Sequence, residues 1–62
     1  MITMKGYVSK KTVSQREDEK ATHALVIELE ESGDYVHLNE ILPKEWLKFK
    51  AGDSVKLQLS KE

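Results

Sequence analysis

The sequence has no cysteine, so neither a disulfide bond nor a thiolate metal site can stabilise this chain. It has only one proline, one tryptophan, one phenylalanine and three glycines among its 62 residues. A single domain of this size buries only about 60% of the surface that its unfolded chain exposes. Its stability must therefore come from a small aliphatic core or from a partner chain.

Long hydrophobic runs are also lacking. The longest one, Ala-Leu-Val-Ile at residues 24–27, is far shorter than the ~20 residues of a membrane helix. The N-terminus lacks the apolar region of a signal peptide, because Lys5 and Lys10 interrupt it. We therefore expect one domain over residues 1–62, without membrane association and located in the cytoplasm; the lack of cysteine fits a reducing compartment.

Charge is unevenly distributed along the chain. Residues 1–16 carry four basic residues and no acid, and residues 46–62 carry four lysines against two acids. Residues 17–45 carry nine acids against two lysines. Small barrels often pair their first and last strands, so the two basic ends are expected to share one side. The pattern indicates a dipolar molecule rather than a uniformly basic nucleic-acid binder.

The N-terminal residues alternate between apolar and polar side chains, which predicts a strand that continues towards Val13. Ile2, Met4 and Val8 are expected to face inward. Gly6 falls on the same side, where it predicts a bulge or a close approach of two backbones. Residues 14–20 have no apolar side chain and are expected to form a solvated connector.

Residues 22–30 and 35–38 predict a β-hairpin around the turn cluster Glu-Ser-Gly-Asp at residues 31–34. Pairing Leu29 with Val36 keeps the apolar side chains of both strands on one face. This register sets Glu28 opposite His37 on the other face, where the carboxylate is expected to raise the pKa of His37. It therefore predicts a pH-sensitive pair.

Pro43 cannot lie in a central strand but fits the first position of a helix, so one helical turn is predicted near residues 43–48. Leu42, Trp46 or Leu47, and Phe49 are expected to plug an open end of the fold. A Gly-Asp turn at residues 52–53 then leads into the last strand. The following side chains are expected to form most of the core: Leu25, Ile27, Leu29, Val36, Leu38, Val55, Leu57 and Leu59.

These patterns predict an all-β protein with four or five strands and one short helical turn. The expected fold is a small, partly open antiparallel barrel of the SH3-like or OB-like kind. Catalytic chemistry has little support, because the three glycines are isolated and form no phosphate loop. The two histidines have no metal-ligand spacing, and nothing orients Ser32 with His37. We therefore expect no enzyme activity, no cofactor and no metal.

Two groups of residues remain as candidate binding sites. In the first, aromatic side chains, including Trp46, are interleaved with lysines, including Lys48, along residues 44–50. Such a pattern is typical of a base-stacking site with phosphate contacts. A core role for the aromatic side chains, with lysine stems packed around them, is the favoured interpretation. The second is the outer face of the sheet, where Tyr7, Tyr35 and His37 are expected near Lys5 and Lys56.

Exposed tyrosines beside mixed charges are typical of protein interfaces. The sequence therefore predicts a non-catalytic module that docks on a protein partner or forms a homodimer. A small regulator, an inhibitor or an accessory subunit would fit. The alternative is a small β-barrel that binds single-stranded nucleic acid, which Glu28 and Glu30 disfavour because they share the predicted outer face.

Overall fold

The computed structural model describes residues 1–15, 17 and 20–62. Its elements are β1 (Ile2–Ser14), β2 (Thr22–Leu29), β3 (Tyr35–Leu38), the helical turn α1 (Pro43–Trp46) and β4 (Ser54–Leu59). The four strands form one antiparallel sheet in the order β3-β2-β1-β4. The all-β class and the pairing of the first strand with the last are confirmed. In the part of the chain described here, the sheet is open, with β3 and β4 at its edges.

Part of the predicted connector at residues 14–20 lies outside the described residues, namely Arg16, Asp18 and Glu19. Among the described residues, no helix is long and apolar enough to cross a membrane.

The strand β1 is 13 residues long and pairs with β4 on one side and with β2 on the other. A Cβ atom on Gly6 would lie 2.5 Å from the backbone oxygen of Glu28, which confirms the predicted close approach of two backbones. The bulge lies further along, between Val8 and Lys10. One extra residue at this point reverses the alternation of side chains along β1.

The reversal changes which residues of β1 face the core. Before the bulge, Val8 lies opposite Ile27 and both side chains are buried. After the bulge, Lys11 lies opposite Leu25, which is also buried. Since directly opposed residues share one face of a sheet, Lys11 lies on the core side. We call this side the inner face and the opposite side the outer face.

The core is small. Val8, Leu25 and Ile27 have the only fully buried hydrophobic side chains in the described part of the chain. Partly buried side chains pack around them: Leu29, Val36, Leu38, Ile41, Trp46, Phe49, Val55 and Leu57.

The predicted burial of Leu59 is wrong. It lies opposite Ile2 at one end of the inner face, and these two side chains remain 58% and 60% exposed. Among the described elements, α1 packs against β2, and its Trp46 meets Lys11 of β1 beyond the bulge, so α1 leaves this end of the inner face uncovered.

The β2–β3 register differs from the prediction by two residues. Ile27 pairs with Val36, so the same face remains apolar, but Glu28 pairs with Tyr35 and His37 pairs with Val26. The loop is longer than a two-residue turn, since β2 ends at Leu29 and β3 begins at Tyr35. A shift of two residues preserves the side-chain pattern, so alternation alone could not distinguish the two registers. The predicted Glu28–His37 pair is not formed.

The helical turn α1 begins at Pro43, as predicted. Of the alternatives Trp46 and Leu47, Trp46 packs against the core, as does Phe49. Leu42 and Leu47 are 70% and 69% exposed, so the prediction is wrong for Leu42. After α1 the chain turns through Gly52, whose φ of 94° lies in the left-handed region that favours glycine.

Candidate functional site

One row of side chains crosses the outer face of the whole sheet. Tyr7 of β1 lies opposite Ser54 of β4 on one side and opposite Glu28 of β2 on the other. Glu28 in turn lies opposite Tyr35 of β3. The strand register therefore places one carboxylate between two tyrosines from different strands. We call Tyr7, Glu28 and Tyr35 the tyrosine–glutamate row.

Hydrogen bonding joins the members of this row. The Tyr7 hydroxyl donates a hydrogen bond to the Glu28 carboxylate. Hydrogen bonding from Tyr7, and to a smaller degree from Tyr35, lowers the pKa of Glu28 below its ordinary value. The same contacts raise the pKa of both tyrosines, since losing a proton beside a carboxylate removes the bond and adds repulsion. Near neutral pH the row therefore holds one ionised carboxylate and two neutral hydroxyl groups.

Basic side chains flank the row. On one side, Lys5 lies opposite Lys56, so two ammonium groups belong to the next pair of positions on the outer face. On the other side, His37 lies opposite Val26. The structure thus places five of the residues selected from the sequence on one face. It adds Glu28 at their centre, which the incorrect hairpin register had paired with His37.

Trp46 and Lys48 do not join this face. Trp46 packs on the inner face, where its Nε1–H donates a 2.9 Å hydrogen bond to the backbone oxygen of Ala24. Lys48 is exposed and forms an ion pair with Glu45 at 3.3 Å. The interleaving of aromatic residues and lysines in the sequence therefore does not bring Trp46 and Lys48 together in one binding site.

Trp46 has neighbours from the strands β1 and β2. The Lys11 ammonium lies 3.8 Å from the centroid of the indole ring, and the His23 ring meets the indole edge-on at 5.1 Å. Lys11 also donates a 2.6 Å hydrogen bond to the backbone oxygen of Phe49. The position of Lys11 depends on the bulge in β1, which the sequence indicated only through Gly6, three residues too early.

Groups that could support catalysis or metal binding are sparse. The Ser32 hydroxyl accepts a 3.2 Å hydrogen bond from the Asp34 backbone N–H, which gives this serine a role in the turn. Among the described residues, no three His, Asp or Glu side chains form a group that could hold a metal ion. Comparisons with protein-family models, with curated proteins and with solved structures found no match to this chain.

Proposed function

We propose that this protein is a non-catalytic binding module that docks on a protein partner through the outer face of its sheet. The observation that carries the proposal is the tyrosine–glutamate row, in which Glu28 stands between Tyr7 and Tyr35. The flanking side chains Lys5, Lys56 and His37 would form the rim of the contact. A regulator, an inhibitor or an accessory subunit works through such a surface.

The chemistry of the row favours a cationic side chain as the central contact. An ionised carboxylate has about four acceptor positions, and the two tyrosine hydroxyls occupy only some of them. An arginine from a partner can take the remaining positions in a charge-assisted pair. The aromatic rings on both sides supply apolar area and cation–π attraction, which suits a guanidinium group better than a phosphate.

The second candidate is single-stranded nucleic acid. It is favoured by the direct opposition of Lys5 and Lys56 beside two tyrosines, because bases stack on aromatic rings while lysines contact phosphates. Glu28 argues against it, since the lowered pKa keeps a negative charge in the middle of the same surface. For this reason we place the protein partner first.

The fold proposed for this module is a partly open barrel of the SH3-like or OB-like kind. Two features support it. β1 pairs with strands on both of its sides, and the bulge between Val8 and Lys10 bends and twists the strand in its middle. Barrels of this size use such a bent strand to curl the sheet around a small core.

A binding comparison tests the proposal. Three probes of similar length are titrated into the ¹⁵N-labelled protein: an arginine-rich peptide, a glutamate-rich peptide and an oligothymidylate. We expect the arginine-rich peptide to shift the amide signals of Tyr7, Glu28 and Tyr35. Glu28→Gln should weaken this binding, and Glu31→Gln, which changes the same charge in the exposed β2–β3 loop, should alter it much less.

The opposite pattern would favour the nucleic-acid candidate. Oligothymidylate would then shift the same signals, its affinity would fall with added salt, and Glu28→Gln would strengthen it. Signals that do not move with any of the three probes would contradict both versions of the outer-face site.

A further inference from the structure

The chain exposes more surface than a compact monomer of its mass. Its accessible surface is 5322 Å². A folded monomer of 7.1 kDa is expected to expose about 4,100 Å², so the excess is about 1,200 Å². The radius of gyration is 12.8 Å, against about 10.6 Å for a compact domain of 62 residues. The excess is larger than the roughly 800 Å² that each partner buries in a standard protein interface.

Part of this excess lies at the β4 end of the inner face, where the core prediction failed. Ile2 and Leu59 form an exposed apolar pair, and the half-buried pair Met4 and Leu57 lies next to it. No other described element covers these four residues, since α1 packs against β2. The apolar area therefore reaches the outermost strand of the sheet.

The backbone of β4 is also unpaired on one side within the described chain. Val8 donates a backbone hydrogen bond to Asp53, and bonded and non-bonded pairs alternate along an antiparallel ladder. Val55 and Leu57 are therefore bonded to β1, while the N–H and C=O groups of Lys56 and Gln58 point towards the open edge. An edge strand with one charge and no proline is a ready template for another strand.

We infer that β4 pairs antiparallel with β4 of a second copy of this chain, which joins two sheets into one of eight strands. The apolar alternation of β4 is self-complementary, as a two-fold interface requires. The register follows from charge and burial. Leu57 lies opposite Leu57 of the second copy, Val55 lies opposite its Leu59, and Lys56 lies opposite its Gln58. The neighbouring register with Lys56 opposite itself is disfavoured, because like charges directly across a pair repel.

The symmetry of this dimer sets where the two proposed partner sites lie. A two-fold axis through two antiparallel strands of one sheet stands perpendicular to that sheet. Both inner faces then lie on one side, and both tyrosine–glutamate rows lie on the other. The dimer would present two copies of the outer face to a partner. The interface itself does not depend on the partner proposal, because it uses β4 and the inner face.

The mass in solution tests the interface directly. Sedimentation equilibrium at millimolar concentration should give twice the 7.1 kDa of one chain. Leu59→Lys should raise the dissociation constant at least about tenfold, because the ammonium would have to be desolvated in the interface. The matched control is Leu42→Lys, which replaces another largely exposed leucine, beside α1, and should leave the dimer unchanged. A wild-type protein that stays at the mass of one chain would overturn the inference.

A second experiment tests the register and does not depend on whether Leu59→Lys folds. The chain has no cysteine, so introduced thiols react alone. Lys56→Cys and Gln58→Cys proteins are mixed and oxidised. Directly opposed positions lie about 5.5 Å apart at Cα, which a disulfide can span. We expect the mixed disulfide to dominate. A dominant Lys56→Cys homodimer would overturn the register, and the absence of any cross-link would overturn the interface.

Discussion

The ammonium group of Lys11 lies 3.8 Å from the centroid of the Trp46 ring, on the side of the sheet that holds the core. A lysine reaches this side because the bulge between Val8 and Lys10 reverses the alternation of β1. Its hydrogen bond to the Phe49 backbone oxygen also ties the chain after α1 to β1. One irregular residue in a strand thus decides how the only tryptophan is packed.

Replacing Lys11 by alanine should destabilise the protein by about 1–3 kcal/mol, because the change removes a charged hydrogen bond and a cation–π contact. The matched control is Lys10→Ala. Lys10 is exposed and lies opposite Val26, so its loss should change the free energy of unfolding by less than about 0.5 kcal/mol. Urea denaturation followed by tryptophan fluorescence measures both. Equal losses of stability in the two variants would contradict the described role of the bulge.

Gly6 should not tolerate alanine. The added Cβ would lie 2.5 Å from the Glu28 backbone oxygen and 3.0 Å from the Ile27 side chain, so two strands must separate. We expect a loss of about 1–3 kcal/mol, the range for an overpacked core. Gly33→Asn is the control, since that position is open and asparagine tolerates its positive φ. Thermal unfolding measures the stability of both variants. A Gly6→Ala protein as stable as wild type would disprove the close approach.

The tyrosine–glutamate row should give the protein a pH dependence of defined sign. The folded state lowers the pKa of Glu28, so its contribution to stability is present above the unfolded value of about 4.3. It is lost as the pH falls through the lower folded value. The folded state raises the pKa of Tyr7 and Tyr35, so their contributions are present below about 10. They are lost as the pH rises through the higher folded values.

Carboxyl ¹³C NMR of Glu28 measures the acidic part of this dependence. Tyr7→Phe removes the principal donor, so the titration midpoint of Glu28 should move up towards its ordinary value. Tyr35→Phe should move it in the same direction by a smaller amount. If the Glu28 midpoint is the same in wild type and in both variants, the row does not exist in solution.

Burial predicts a large contrast between two aliphatic residues of the inner face. Ile27 is 1% exposed, so Ile27→Ala should cost about 2–5 kcal/mol through lost burial and the cavity that remains. Leu59 is 58% exposed, so Leu59→Ala should cost much less when the protein is dilute enough to be monomeric. Chemical denaturation at low protein concentration compares them. A cost for Leu59→Ala that matches Ile27→Ala would mean that another surface covers this end of the sheet.

Much of the local structure follows from the sequence. The alternation of Leu25 and Ile27 predicted a strand with one apolar face, and both residues are buried. Pro43 predicted the helical turn, because its fixed φ and missing N–H suit the first helical position. Gly6 predicted a close approach of backbones that no larger residue would allow. In each case the cause is local stereochemistry, which a single sequence contains.

The tertiary structure decided between arrangements that the local sequence pattern allows equally well. The period of two is the same for registers that differ by two residues, so only the full hairpin sets Glu28 against Tyr35 instead of His37. The bulge that turns Lys11 towards Trp46 is not marked in the sequence by any characteristic residue type. The coverage of an apolar residue depends on distant elements, which bury Ile27 and leave Leu59 exposed. The sequence by itself therefore determined the strands and their apolar sides, while long-range packing determined which side chains meet.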